Sequence, residues 1–263
     1  MGKEEIEQYA KAAQPAYLRP LQFFPAWQGV LTLAFSGFPP SFKKLKEDIN
    51  ENLAAAIPKE SPGSMWPKMT LGALKDHVRL TPEMLDRISR ICSEVSSDFD
   101  VCDPASKSQA LLVDTLDISF YCARSLERQI SCHSIQLQGA PCVDGSGTDT
   151  ADWVDESPPS KEERDRIQGI VNEVHLPDYW FFASKDGNRE THYRGNALGV
   201  SLVHHFQRSK LAPAARPENG SSTTVHPLLP VIAKLRSRIE QELPGLYAWM
   251  NDSSLHCTFR ALM

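Results

Sequence analysis

The 263-residue sequence predicts an α+β domain, and three observations carry that prediction. A strand–helix–strand order occurs twice, at about 29–74 and 199–262. Each unit opens on a glycine-led apolar run, Gly29-Val30-Leu31-Thr32-Leu33-Ala34-Phe35 in the first and Gly199-Val200-Ser201-Leu202-Val203-His204-His205-Phe206 in the second. Each also closes on a strand of alternating polarity, Pro67-Lys68-Met69-Thr70-Leu71-Gly72-Ala73-Leu74 and Leu255-His256-Cys257-Thr258-Phe259-Arg260-Ala261-Leu262. Strand side chains point to opposite faces in turn, so His256, Thr258 and Arg260 are predicted on one face and Cys257, Phe259 and Ala261 on the other. Laid over each other, the closing strands place Lys68 on His256 and Thr70 on Thr258.

Helical composition marks residues 3–13, and 14–28 reads as an extended aromatic and proline-rich arm packed on the body (Tyr17, Phe23, Phe24, Trp27). The domain proper then runs from 29 to 263. Ser41 is a candidate N-cap for a helix over 42–55, whose Phe42, Leu45, Ile49 and Leu53 form one stripe. Thr81-Pro82-Glu83 starts a helix over 82–96, with proline at the first helical position. Strands are predicted over 111–122 and 133–138, with Asp117, Ser119 and Tyr121 on a polar face. A mobile acidic loop over 139–160 leads to a helix over 161–174 capped by Ser160. Tyr179-Trp180-Phe181-Phe182 is strand-like, 184–192 is a polar turn, and 211–224 is a loop before a helix over about 226–243.

Composition excludes several classes. The net charge of −5 argues against a protein that coats long nucleic acid, which needs a basic surface, but leaves room for a nucleotide end or a small ligand. No apolar run reaches the ~20 residues that span a bilayer, and the N-terminal segment has neither a secretory h-region nor a myristoylation pattern. Six cysteines without a CxxC pair read as free thiols in a reducing compartment, hence a cytoplasmic protein. His192, His204 and His205 lack metal-ligand spacing, so neither metal nor cofactor is expected. Adjacent strand residues face apart, which excludes proton sharing within Cys257-His256 or Cys132-His133. Phosphate-loop, dinucleotide and serine-hydrolase fingerprints are absent, and oligomeric state leaves no trace in the sequence.

In its repeated unit and its closing motif, His256-Cys257-Thr258-Phe259, the chain resembles the two-histidine (2H) phosphoesterases, the RNA ligase-like and cyclic nucleotide phosphodiesterase group. The first motif, Lys68-Met69-Thr70-Leu71, matches except that lysine replaces histidine. The resemblance covers about residues 29–263 and implies a bilobal fold, with two strand–helix–strand lobes and antiparallel sheets around a central cleft. It further implies a phosphoesterase that uses no metal and acts on a small phosphodiester such as a cyclic nucleotide or an RNA end. In that family two imidazoles flank the phosphodiester and the motif hydroxyls hold its oxygens. Carried over, His256 and Lys68 would be catalytic and Thr70 and Thr258 would bind phosphate, with Arg260 as an added anion contact and Trp66 to stack a base or pack in the core.

A free lysine titrates near 10.4, so as a base Lys68 would have to fall by about 4 kcal/mol toward neutrality. As a cation it would hold an anion or act as an acid. His204 or His205 is a candidate for the missing imidazole. A second reading is a repurposed fold that binds or transforms a different anionic or carbonyl-bearing small molecule, without phosphodiesterase activity. A third is an interaction protein that docks through the 15–28 arm.

Overall fold

The computed structural model describes residues 3–99, 109–138, 153–185, 189–208 and 226–263. An α+β fold is observed, with antiparallel strand pairing throughout both its sheets. Helix α1 (Lys3–Ala12) precedes β1 (Ala16–Leu18), β2 (Pro20–Ala26) and β3 (Val30–Phe35). Helix α2 (Pro40–Asn52), β4 (Lys68–Leu74) and α3 (Pro82–Ser96) follow, then β5 (Leu111–Val113), β6 (Thr115–Tyr121) and β7 (Gln129–Gln136). Three helices, α4 (Lys161–Asn172), α5 (Tyr179–Ser184) and α6 (Glu190–Arg194), lead to β8 (Gly199–His205). The chain closes with α7 (Leu228–Glu242), β9 (Tyr247–Trp249) and β10 (His256–Ala261).

The main sheet has the order β2-β3-β4-β10-β8-β6-β7, with β9 added beside β4, and β1 pairs with β5 separately. The middle of that order is symmetric in kind. The closing strands of the two strand–helix–strand units, β4 and β10, are neighbours, and the opening strands, β3 and β8, flank them. Helices α2, α3 and α7 cover one face through Phe42, Ile49, Ile88, Leu235 and Ile239, against Leu33, Met69, Leu71, Cys257 and Phe259 of the sheet. On the opposite face α4 packs Ile167 and Val171 on Phe24, Ala34 and Trp66. Strand β3 is buried at every position because both faces are covered there, which accounts for its nearly continuous apolar sequence.

The helices expected at 82–96, 161–174 and 226–243 form within two residues of those limits, and the Thr81 and Ser160 side chains accept from Met84 N and Glu163 N as N-caps. Ser41 does not cap α2. The helix starts two residues earlier than expected, at Pro40, whose missing N–H suits a first-turn position, and the Ser41 amide donates to Asp155 Oδ2 at 3.3 Å.

Tyr179-Trp180-Phe181-Phe182 is helical, not a strand. Tyr179 and Ala183 bury one helical stripe while Phe181 and Phe182 stay half exposed, a period near 3.6 hidden inside an unbroken aromatic run. The expected arm is part of the fold: β2 pairs with β3 from Pro20↔Phe35 to Ala26↔Val30 and buries Phe23 and Phe24. As the edge strand it accommodates Pro20 and Pro25. Most of the loop expected at 139–160, and all of that at 211–224, lies outside the described residues. Among the described residues no helix is long and apolar enough to cross a membrane.

Candidate active site

The site grows from the β4–β10 junction. Cys257 pairs with Met69, and both are buried under the helices. Antiparallel register therefore sets Thr258 against Lys68 and His256 against Thr70 on the opposite, partly open face. Diagonal neighbours in such a pair stand about 7–8 Å apart, so Lys68 and His256 flank the two threonines.

His256 is fixed by its backbone neighbour. Its Nδ1–H donates to the Ser254 carbonyl at 2.7 Å, which leaves Nε2 as an acceptor. Burial, with the Ser254 bond opposing and nearby His205 adding, lowers its pKa to about 4, so the ring is neutral at pH 7. The Lys68 ammonium donates to the Gly63 carbonyl and lies 4.3 Å from the centre of the Trp66 ring. Among the described residues it has no carboxylate partner, and burial lowers its pKa to about 8. Trp66 packs against Phe24 with ring centres 6.0 Å apart, so it belongs to the core beneath α4 and props the lysine. Thr70 receives a further partner that sequence reading missed. Tyr193 of α6 lies beside it, and burial raises that phenol to about 12.

Arg260 does not share the open face of Lys68 and His256. Between Thr258↔Val203 and Arg260↔Leu202 the register slips, so Phe259 is an extra residue in β10. Phe259 enters the core between Phe38 and Phe42, with ring centres 5.4 and 5.0 Å away. The slip turns Arg260 toward α2, where it donates to Asn50 Oδ1 at 2.7 Å and to the Pro58 and Ala261 carbonyls at 2.5 and 2.6 Å. The alternation read from the sequence holds up to Thr258 and fails at this bulge.

Of the two histidines on β8, His204 pairs with Cys257 on the face opposite His256, and its Nδ1 lies 2.9 Å from the Thr115 carbonyl. His205 pairs with His256, and their ring centres are 6.3 Å apart. Beyond it, Asp117 and Ser119 of β6 and Cys132 of β7 continue the same polar face. Ser119 Oγ is 3.2 Å from His205 Nε2, and Gln129 Nε2 is 3.3 Å from the same atom. Burial lowers the pKa of His205, with Asp117 opposing and Arg208 adding to the shift. A separate cavity of about 550 Å³, lined by residues such as Leu85, Ser89, Val174 and Trp180, contains none of these groups.

No protein-family model, no curated protein and no solved structure matches the chain.

Proposed function

We propose that the protein is a 2H-phosphoesterase-like enzyme, with its two lobes meeting at β4 and β10, that hydrolyses a small phosphodiester such as a 2′,3′-cyclic nucleotide or an RNA end. The observation that carries this reading is the pairing of unlike groups on one cleft face: a neutral imidazole at His256 and an ammonium at Lys68, with Thr70 and Thr258 between them. The two groups divide the work that two histidines share in the resembled family. His256 Nε2 takes a proton from water as the water oxygen attacks phosphorus, the bond from phosphorus to the leaving ribose oxygen breaks, and Lys68 protonates that oxygen. The threonine hydroxyls donate to the non-bridging oxygens. The chemistry needs no metal.

His256→Ala is expected to lower turnover of 2′,3′-cyclic nucleotides by at least about 100-fold while the circular dichroism spectrum is retained. The wild-type rate should be bell-shaped in pH, failing below about 4 as the base is protonated and above about 8 as the acid is lost. No turnover of any cyclic or linear phosphodiester by the wild type would sink the reading.

The second reading, a carbonyl-bearing ligand, draws on the same lysine, because an amine with a pKa of about 8 is partly free to condense with a carbonyl near neutral pH. It calls for borohydride to trap a ligand on Lys68, together with inertness toward phosphodiesters.

A further inference from the structure

Three adjacent strands bring one more group of side chains together beside the cleft. Asp117 on β6, Cys132 on β7 and His205 on β8 each offer a ligand atom, and these atoms all lie within 4.8 Å of one another. The edges of a tetrahedral zinc site measure about 3.3–3.8 Å, given bonds of 2.0–2.3 Å, so rotamer adjustment alone closes the difference. Thiolate, imidazole and carboxylate together form a donor set that suits Zn²⁺, and three protein ligands leave one position open.

Asp117 supplies an independent sign. Its side chain is fully buried, and neither carboxylate oxygen has a hydrogen-bond partner. A buried carboxylate is normally hydrogen-bonded, paired or bound to a metal. Here the compensation is partial. Arg208 Nη1 stands 2.9 Å from Asp117 Oδ1 but outside hydrogen-bond geometry, while its Nη2 lies 3.9 Å from Cys132 Sγ. The Arg208 side chain is 41% exposed, so solvent can take the guanidinium when another cation arrives. Ser119 Oγ lies between the two remaining ligands, 3.9 Å from Cys132 Sγ and 3.2 Å from His205 Nε2, so polar atoms converge on this point.

We propose that Asp117, Cys132 and His205 form a zinc-binding site beside the His256 cleft, with Arg208 as a counter-cation that leaves when the metal binds. Binding forms Zn–S, Zn–N and Zn–O bonds and releases the Cys132 thiol proton to solvent. The inference does not rest on phosphoesterase activity, since it uses neither Lys68 nor His256.

Cobalt(II) added to the chelator-treated protein tests it, because a cobalt–thiolate bond gives a charge-transfer band in the near ultraviolet. The band should appear at one equivalent, disappear in Cys132→Ser and persist in His256→Ala. Its midpoint should weaken by about 10–100-fold in Asp117→Asn and His205→Gln, and tighten in Arg208→Ala. Circular dichroism identifies any variant that fails to fold, and Arg208→Ala, on an exposed side chain, keeps the test decisive in that event. No band, a band that survives Cys132→Ser, or an Arg208→Ala midpoint equal to that of the wild type would overturn the proposal.

Discussion

At the scale of single residues, Arg260 shows how one inserted position redirects a side chain. Its guanidinium is committed to Asn50, Pro58 and Ala261, and it ties β10 to α2 and the loop after it. Arg260→Met should therefore cost stability and leave substrate affinity alone. We expect a loss of about 3 kcal/mol in urea unfolding, since buried acceptors are left unpaired, and, on the proposed chemistry, a KM for a cyclic nucleotide unchanged within a factor of about two. A raised KM with unaltered stability would return the residue to the cleft. The period-two pattern was enough to put His256, Thr258, Lys68 and Thr70 on one sheet face, because each pair lies within one uninterrupted stretch of strand. A bulge carries no comparable mark: Phe259 is as apolar as its place in the alternation demands. Tyr193 was out of reach for another reason, since its contact with Thr70 joins a short helix to a distant strand.

Among elements, β2 is the one whose role changes most. Its proline and aromatic content reads as an arm, yet Phe23 and Phe24 bury opposite faces of an edge strand, Phe23 against Phe99 with ring centres 5.0 Å apart and Phe24 against Trp66. The Phe23 amide also donates to Ser96 Oγ of α3 at 2.8 Å. A chain lacking residues 1–28 should consequently lose its cooperative thermal transition, where a mere docking arm would come away and leave Tm unmoved. Proline depressed the strand signal here because edge positions, which tolerate it, cannot be told from central ones before the sheet order is known. Sheet order likewise hid the cluster of Asp117, Cys132 and His205. These residues are 15 and 73 positions apart in sequence and converge only because β7, β6 and β8 lie side by side.

Across the whole molecule, buried histidines set the response to acid. Burial lowers the pKa of His204, His205, His226 and His256, and brings the last two to about 4. The unfolded chain takes up these protons near pH 6.5 and the folded chain only lower, so the stabilisation is complete above about 6.5 and is lost as pH falls toward 4. Urea unfolding at pH 7 and pH 5 should differ by several kcal/mol, with a smaller difference in His226→Gln. Equal stabilities at the two values would contradict the burial of these rings. The α+β class and the doubled strand–helix–strand order were legible at this scale, since hydrophobic periodicity reports elements and their sequence. The extension of the sheet through β6 and β7, and the added β9, follow from long-range pairing that periodicity does not encode.

The near-symmetric placement of β3-β4 and β8-β10 carries unlike groups at matching positions, lysine on one side and histidine on the other. Two identical imidazoles would accept a cyclic phosphate in either orientation. On the proposed chemistry this cleft has a direction: turned end for end, the ring would offer its departing oxygen to a neutral imidazole and its incoming water to an ammonium. Regioselectivity then comes from a single departure from twofold symmetry, and one of the two ring-opened monoester isomers dominates the product.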